Sequence, residues 1–538
     1  MTFGIDLGTT QSCVAHIDDA GRPVIIKSAL GEDTTPSAVY FESPQNVIVG
    51  RAAKDAAVLE PDLVAQLVKR DMGTSAEYTY QGVRHTPETI SALILRELAQ
   101  AAAEHTGETV REVVITVPAY FGVAEREATR RAGEIAGLKV LDVLAEPVAA
   151  ALHYQAVSSR LASGVRHILV YDLGGGTFDT TVIRLEDDDI TVICTDGDHR
   201  LGGADWDSVI ADYLVGRFEA EHPRLRPRDD AQFMQDVLIS AERLKKDLSV
   251  AQNRRHIMRF DGAVTQVELT REKVEELGAD LLERTITVTE RAIEKARAQG
   301  IGQFDDVLLV GGMTRMPAVT RILRDRLGLR ARHHEPDLAT AKGAALFAVL
   351  RLARPDGENP GAAENVAART GMTVPEVKQL AGKRVSTVVP RGFGTRGIDG
   401  SDPLALTDPA RARQIVIHLL PANTSLPADT GPYTFHTAID NQRMVMVEVW
   451  EQSGAVESPD LAANQKIGEG LLRNLPASLP ARTPIDVTFL MSETGKLSVH
   501  AVEPGSGRDL RFDLQIGGLD QAGVDKARTS VARYRVSG

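Results

Sequence analysis

The sequence predicts an α/β domain with an internal duplication, followed by a smaller all-β domain. Three observations carry this expectation. Residues 3 to 17 (FGIDLGTTQSCVAHI) and 168 to 183 (ILVYDLGGGTFDTTVI) each set an Asp-Leu-Gly turn between two β-prone runs, which is a hairpin signal. The stretch DDVLLV, Gly311, Gly312 and a helical pattern from Met316 to Leu327 reads as strand, turn and helix. From about residue 385 the pattern is β, with RMVMVEVWE alternating apolar and polar residues and Gly495 in a turn between IDVTFLM and KLSVHAV.

The bulk properties bound the function. A chain of 538 residues exceeds the usual ~100–200 residues per domain several times over, so two to four domains are expected. Hydrophobic residues at 43% and charged residues at 25% are the balance of a soluble globular protein. Net charge of −13 argues against a broad nucleic-acid surface. Two cysteines, Cys13 and Cys194, make no disulfide framework and fit a reducing compartment. The start MTFGIDLGTT has no charged region before an apolar run, and no stretch of about 18 apolar residues occurs, so neither a signal peptide nor a membrane span is expected. A cytoplasmic location follows as an expectation.

The two hairpins carry the chemistry. Asp6, Gly8, Thr9 and Thr10 form the first turn; Asp172, Gly174, Gly175, Gly176 and Thr177 form the second, with Asp179 just beyond. Glycines let the backbone reach φ > 0 and approach a ligand, so successive N–H groups can form a nest for a phosphate chain. Carboxylates beside a polyphosphate call for a hard cation, and Mg²⁺ held by a few protein oxygens and waters is the usual one. A glycine turn also closes many hairpins that bind nothing, and it is the matched pair that points to phosphate. Neither turn is a Walker loop. Gly311 and Gly312, before a helix N-terminus, suit an anion or nucleotide, although such turns also serve packing. In DVLISAERLKKDLSVAQ, Glu242, Lys245, Lys246 and Ser249 share one helix face, which reads equally as a solvated face with a Glu242/Lys246 pair.

Taken together, the first hairpin, Val113 to Tyr154 with VPAYF and AEPVAAAL, the second hairpin, LGGADWD at 201 to 207 and VLLVGGMTRMPAV at 307 to 319 resemble the Hsp70 (DnaK-type) chaperone family. The resemblance is collinear over residues 1 to about 350. It implies an actin-like (ribonuclease H-like, duplicated) ATPase domain over residues 1–353, using ATP, Mg²⁺ and K⁺. By resemblance Thr9 and Thr10 hold phosphates, Asp6, Asp172 and Asp179 organise the metal and its waters, Lys69 places the attacking water, Glu146 stands near the metal's water shell, and Thr177 meets the γ-phosphate. Gly202 and Gly203 join the nucleotide-binding set. Glu242, Lys245, Lys246, Ser249, Gly311, Gly312, Arg315 and Asp337 clamp the ribose and adenine. Pro118 and Arg126 match the pair that couples nucleotide state to the second domain, while Arg126 could equally pair with Glu125 or Glu134. Lys69 could also be a helix C-terminal cation, and Glu146 a cap before Pro147. Cys13, beside the first turn, reads as a buried structural thiol or a redox site. Met313 stands where the family usually has serine, and Ala204 where it has an acidic residue.

Residues 354–384 read as a linker, with a capping box at Thr373 to Glu376 opening one short helix that stops at Gly382. The family uses a short acidic, leucine-rich linker, so this departure argues against its usual linker docking. LLPANTSLP, FHTAIDNQ and VTFLMSETGKLSVHAVE, within 385–517, are similar to the family's peptide-binding β-sandwich. Phe435, Val445 and Val447 would line its apolar pocket and Ala438 the arch above it; the same residues also suit a plain sandwich core. Residues 518–538 allow one short helix and no helical lid, which implies fast peptide release. The resemblance thus implies an ATP-dependent chaperone for unfolded polypeptides in protein folding and stress response, with J-domain and exchange-factor partners. The altered linker and missing lid leave a second reading, a weakly hydrolysing scaffold that docks one dedicated partner.

Overall fold

The computed structural model describes residues 2–158, 164–186, 189–354, 361–454, 456–514 and 521–538. The duplication is visible in strand order. In the first half, Phe3–Asp6 pairs antiparallel with Gln11–Ile17, which continues to Pro23–Ile26, while its other edge runs parallel to Glu112–Val117 and then Lys139–Ala145. In the second half, Arg166–Leu173 pairs antiparallel with Phe178–Glu186 and Asp189–Asp198, and its other edge runs parallel to Asp306–Val310 and Ala331–His333. The two orders match strand for strand. The inner parallel strands are mostly apolar because helices cover both faces; in Glu112–Val117 every residue after the first is buried.

Between the two sheets run helices Glu146–Val157 and Ala339–Ala353, each rich in alanine where they meet. A Cβ added to Gly343 would stand 1.8 Å from the Ala149 carbonyl oxygen, so only glycine permits this approach. Pro147 occupies the first turn of its helix, where no N–H partner is lost. The expected helix after Gly311 and Gly312 is present as Pro317–Leu327, preceded by a short 3₁₀ turn over Gly312–Arg315.

The stretch read as a linker differs from its expectation. Residues 355–360, within it, lie outside the described residues. The capping box forms as expected, with the Thr373 side chain accepting from the Glu376 N–H and opening Val374–Gly382. A second helix, Ala362–Thr370, precedes it, and Val366, Val377 and Leu380 join the core beneath Ala339–Ala353. The stretch therefore packs as part of the first domain rather than spanning a gap. Linker docking, which the altered composition argued against, is also present: Arg384–Ser386 adds parallel to Asp189–Asp198 as an edge strand. Backbone pairing needs no particular side chain, so the loss of leucines does not prevent it.

The all-β region is a two-sheet sandwich. One sheet orders Gln414–Leu420, Phe393–Ile398, Val445–Gln452 and Asn464–Leu472; the other joins Ala428–Asp429 to Pro484–Met491, Leu497–Glu503 and Arg508–Asp513, with Tyr433–His436 also on Pro484–Met491. Alternate residues such as Val447, Val449, Val487, Phe489 and Val499 fill the space between the sheets. Gly495 sits in the hairpin turn with φ of 81°, as its position suggested.

Residues 518–520, at the start of the C-terminal segment, lie outside the described residues. The expected helix, Gln521–Val531, is present, but the chain then returns to the first domain. Arg535–Ser537 pairs parallel with Asn46–Val49, and Val524, Val531, Tyr534 and Val536 enter the core of the first half. Burial of each such side chain contributes about 1.5–3 kcal/mol.

Two buried histidines give the fold a pH dependence. His85 lies against Phe41 and accepts or donates to the Tyr534 hydroxyl at 3.2 Å; burial pushes it down to about 4. His153, with Nδ1 at 3.1 Å from His334 Nε2, is pushed down to about 4 by burial and by His334. An unfolded chain takes up these protons near pH 6.5, whereas the folded chain refuses them until about pH 4. The unfolded state therefore binds more protons in that window, and stability falls as pH drops from 6.5 to 4. The thermal midpoint is expected to fall over this range, with a shallower slope in His153→Gln; an identical slope in the variant would remove His153 as a source.

Candidate functional site

A cleft of about 890 Å³ is lined by residues of both duplicated halves. Its lining includes Asp6, Gly8, Thr9, Thr10 and Lys69 from the first half, and Glu146, Asp172, Gly174, Gly175, Thr177 and Gly203 along the same wall. Glu242, Lys245, Lys246, Ser249, Gly311, Gly312, Arg315 and Asp337 line the other end. Asp179, Gly176 and Gly202, also singled out in the sequence, lie behind the surface. The structure thus brings nearly all the candidates to one place.

The glycines of the two turns act through space rather than through backbone freedom. Gly8, Gly174, Gly175 and Gly176 do not take the left-handed φ expected of them; of the cleft glycines, Gly311 does, at 84°. A Cβ on Gly175 would lie 1.9 Å from Thr10 Oγ1, and one on Gly176 would lie 2.3 Å from Thr9 Cγ2. The first turn's threonines therefore fill the space that the second turn's glycines leave. Behind them, a Cβ on Gly202 would lie 2.5 Å from the Gly176 nitrogen, and the Gly203 and Ala204 N–H groups donate to the carbonyls of Gly174 and Gly175 at 3.0 and 2.8 Å. Ala204 contributes its backbone here, while the neighbouring Asp205 accepts from the Gly202 N–H at 2.8 Å.

Below the turns lies a concentration of buried charge. Lys69 Nζ donates to Glu146 Oε1 at 2.7 Å, and both side chains are buried. Asp6 accepts from Thr116 Oγ1 at 2.8 Å, and is pushed up to about 7 by burial and by Glu146. Asp179 accepts from the Tyr120 N–H at 3.0 Å, and burial with Glu146 pushes it up to about 8. Burial, Glu146 and Asp179 hold Asp172 well above the usual carboxylate range. Three buried carboxylates and the half-buried Asp6 thus face one ammonium, and among the described residues none of the three aspartates forms an ion pair of its own. A divalent cation would relieve this imbalance, so the donor set fits Mg²⁺. Among the described residues no three such side chains converge tightly enough to grip an ion alone.

At the far end, Glu242 is raised by burial but lowered more by Lys54 and Lys246, which together hold it down to about 2. The Glu242/Lys246 pair is present at 2.6 Å, and Lys54 reaches Glu242 from the first half across the cleft. Lys245 Nζ is held by Asp207 and by the Gly203 carbonyl, each at 2.7 Å. The Ser249 hydroxyl donates to the Lys245 carbonyl at 3.2 Å, and Arg315 pairs with Asp337. Met313 lines this end with its sulfur 3.6 Å from where a Gly203 Cβ would be. Cys13 is buried with its thiol toward the Asp337 carbonyl, and burial pushes the thiol well up, which suits a structural role.

Four supporting residues escaped the sequence reading. Arg70 donates Nε to the Gly176 carbonyl at 3.0 Å and pairs with Asp205, tying the second turn and the start of the helix Gly203–Glu221 to the first half; its one signal was adjacency to Lys69. Thr116 and Tyr120 hold Asp6 and Asp179, and Asp207 holds Lys245. Arg126 makes neither carboxylate pair considered for it, donating instead to the Val143 carbonyl at 2.5 Å. It lines a second cavity of about 690 Å³ between the first domain and the sandwich, together with Thr387, Val388 and Leu426. Pro118 accepts from the Phe121 N–H in the turn just before that helix. In the sandwich, Val447 is 2% exposed and belongs wholly to the core, whereas Phe435 and Val445 are half-buried at its rim and Ala438 is exposed.

The turn geometry yields a contrast between neighbours. A Cβ on Gly174 meets nothing nearer than 3.7 Å, while one on Gly175 has no room. Gly175→Ala is expected to lower the urea midpoint by the equivalent of about 1–3 kcal/mol, the usual cost of overpacking. Gly174→Ala should leave it nearly unchanged; equal effects would show that the turns do not interlock.

The remaining observation comes from comparison with known families. The family described as Hsp70 protein matches residues 2–80 and 74–356, well over half of the chain. That span contains both hairpins, the carboxylate cluster and the whole cleft lining, so the geometry and the match concern the same residues. The chain belongs to the Hsp70 family.

Proposed function

We propose that the chain binds ATP in the cleft, hydrolyses it to ADP and phosphate, and uses the cycle to hold and release extended apolar segments of unfolded polypeptides. The observation that carries this reading is the set of buried carboxylates around Lys69 beneath two interlocked turns. Asp6, Asp172 and Asp179 would hold Mg²⁺ through its waters, with K⁺ nearby. The metal would neutralise charge on the phosphates and fix their orientation. The N–H groups of both turns and the hydroxyls of Thr9, Thr10 and Thr177 would bind the phosphate oxygens. Lys69, held still by Glu146, would orient a water whose oxygen bonds to the γ-phosphorus as the β–γ bridging bond breaks. Such transfer depends on positioning and charge neutralisation, which these residues can supply. The face of Glu242, Lys245, Lys246 and Ser249, with Gly311, Gly312, Arg315 and Asp337, would bind adenosine.

For the peptide, Leu404 and Leu406 on one loop, Ile439 and Met444 on another, and Met446 at the start of Val445–Gln452 are exposed apolar side chains. Antiparallel pairing of Phe393–Ile398 with Val445–Gln452 puts both loops at one end of the sandwich. Phe435, Val445 and Ala438 adjoin them. An extended segment would be held there through main-chain hydrogen bonds and apolar pockets. J-domain and exchange-factor proteins are the partners this reading entails.

Single-turnover hydrolysis with and without an apolar peptide tests the proposal. Turnover that rises with peptide supports it, while ATP binding without turnover would favour the dedicated scaffold. Lys69→Met is expected to slow hydrolysis on the order of 10²–10³-fold with little change in ATP affinity, as for loss of one preorganised charge. A parallel loss of affinity would make Lys69 a binding residue instead.

A further inference from the structure

The sandwich is attached to the nucleotide domain through segments at both of its ends. At one end, Arg384–Ser386 extends the second sheet, and Arg384 grips Asp189 with two nitrogens at 2.8 and 2.9 Å. Beside it, buried Arg391 lies between Glu125 and Glu451 and over the Tyr120 ring, and the Thr195 N–H donates to Asn423 at 2.8 Å. At the other end, the C-terminal segment crosses the helices Pro87–Thr106 and Val123–Ile135. Arg96 donates to the carbonyls of Val531 and Tyr534, Arg528 to that of Glu134 at 2.9 Å, and the Arg535 N–H to Gln45 at 2.8 Å. With Val524, Val531, Tyr534 and Val536 buried, this is a built attachment rather than a tail lying on a surface.

We propose that the strap formed by Gln521–Val531 and Arg535–Ser537 is a clasp that keeps the sandwich seated on the nucleotide domain in every nucleotide state. A sandwich held at one end could swing away on its linker. Held at both ends, it cannot separate until the strap leaves the core of the first half. Residues 515–520 connect Leu514 to Gln521, a span of at most about 25 Å for a fully extended chain. Nucleotide turnover then acts on the peptide site by small shifts across the seated interface. This rests on the nucleotide-binding reading above only for its mention of nucleotide states.

Amide hydrogen exchange on the full chain tests the clasp, comparing nucleotide-free protein with ADP and ATP in Mg²⁺. Protection of residues 384–386 is expected to stay within about twofold across the three states in the wild type. Val531→Asp should expose residues 46–48 and lower protection at 384–386 roughly tenfold or more, with a larger radius of gyration in solution scattering. Should that variant fail to fold, Arg96→Met removes two donors to the strap without altering the strap itself and should shift exchange in the same direction. Loss of protection at 384–386 in the wild type on changing nucleotide would overturn the clasp, as would a released strap that leaves 384–386 protected. Nucleotide affinity is measured separately. A wild type that binds none would sink the ATP reading, while the nucleotide-free comparison of wild type with variants would still decide the clasp.

Discussion

Asp172, Asp179, Glu146 and the half-buried Asp6 are gathered around one lysine, and the rest of the nucleotide domain serves that arrangement. Buried carboxylates without partners are costly, because burial disfavours the charged form. Three of the four are held in place by a neighbour. Thr116 holds Asp6, the Tyr120 backbone holds Asp179, and Lys69 holds Glu146. Each support comes from a different element, so the cluster exists only when those elements are assembled.

The duplicated topology provides that assembly. Asp6 and Asp172 end the first strand of equivalent hairpins, so matching two copies of one sheet face to face brings two equivalent carboxylates together. The paired alanine-rich helices between the sheets set how closely the halves approach, and Glu146 begins one of them. Thr9 and Thr10 against Gly176 and Gly175 set the same distance at the turns. Packing at the centre and packing at the cleft therefore fix one geometry twice.

Much of this was legible in the sequence because its signals are local. The two Asp-Leu-Gly turns, the capping box at Thr373, the Gly311–Gly312 turn and the alternation around Val447 each fall within a dozen residues. What was missed depends on partners far apart in the chain. Arg391 meets Glu125 across 266 residues, and Tyr120 meets Gly454 across 334. Three-residue strands such as Arg384–Ser386 and Arg535–Ser537 carry too few residues to show a period, and their pairing is set by the edge they join. The reason for the turn glycines was also hidden: a sequence shows that a Cβ is absent, not which side chain fills its place.

The return of Arg535–Ser537 to Asn46–Val49 also has a bearing on how the chain is made. A ribosome delivers residues 3 to 145, and with them nearly all of the first half, long before residues 535–537. Domains generally fold as they emerge, at about 5–20 residues per second. Here the outer edge of Asn46–Val49, which pairs on its inner side with Val39–Tyr40, stays open, and the side of Phe41 that meets Tyr534 stays uncovered, until the sandwich has been synthesised and residues 535–537 follow it. Completion of the first lobe thus depends on residues made about 390 positions after it, and a chain interrupted before residue 535 would carry an exposed strand edge.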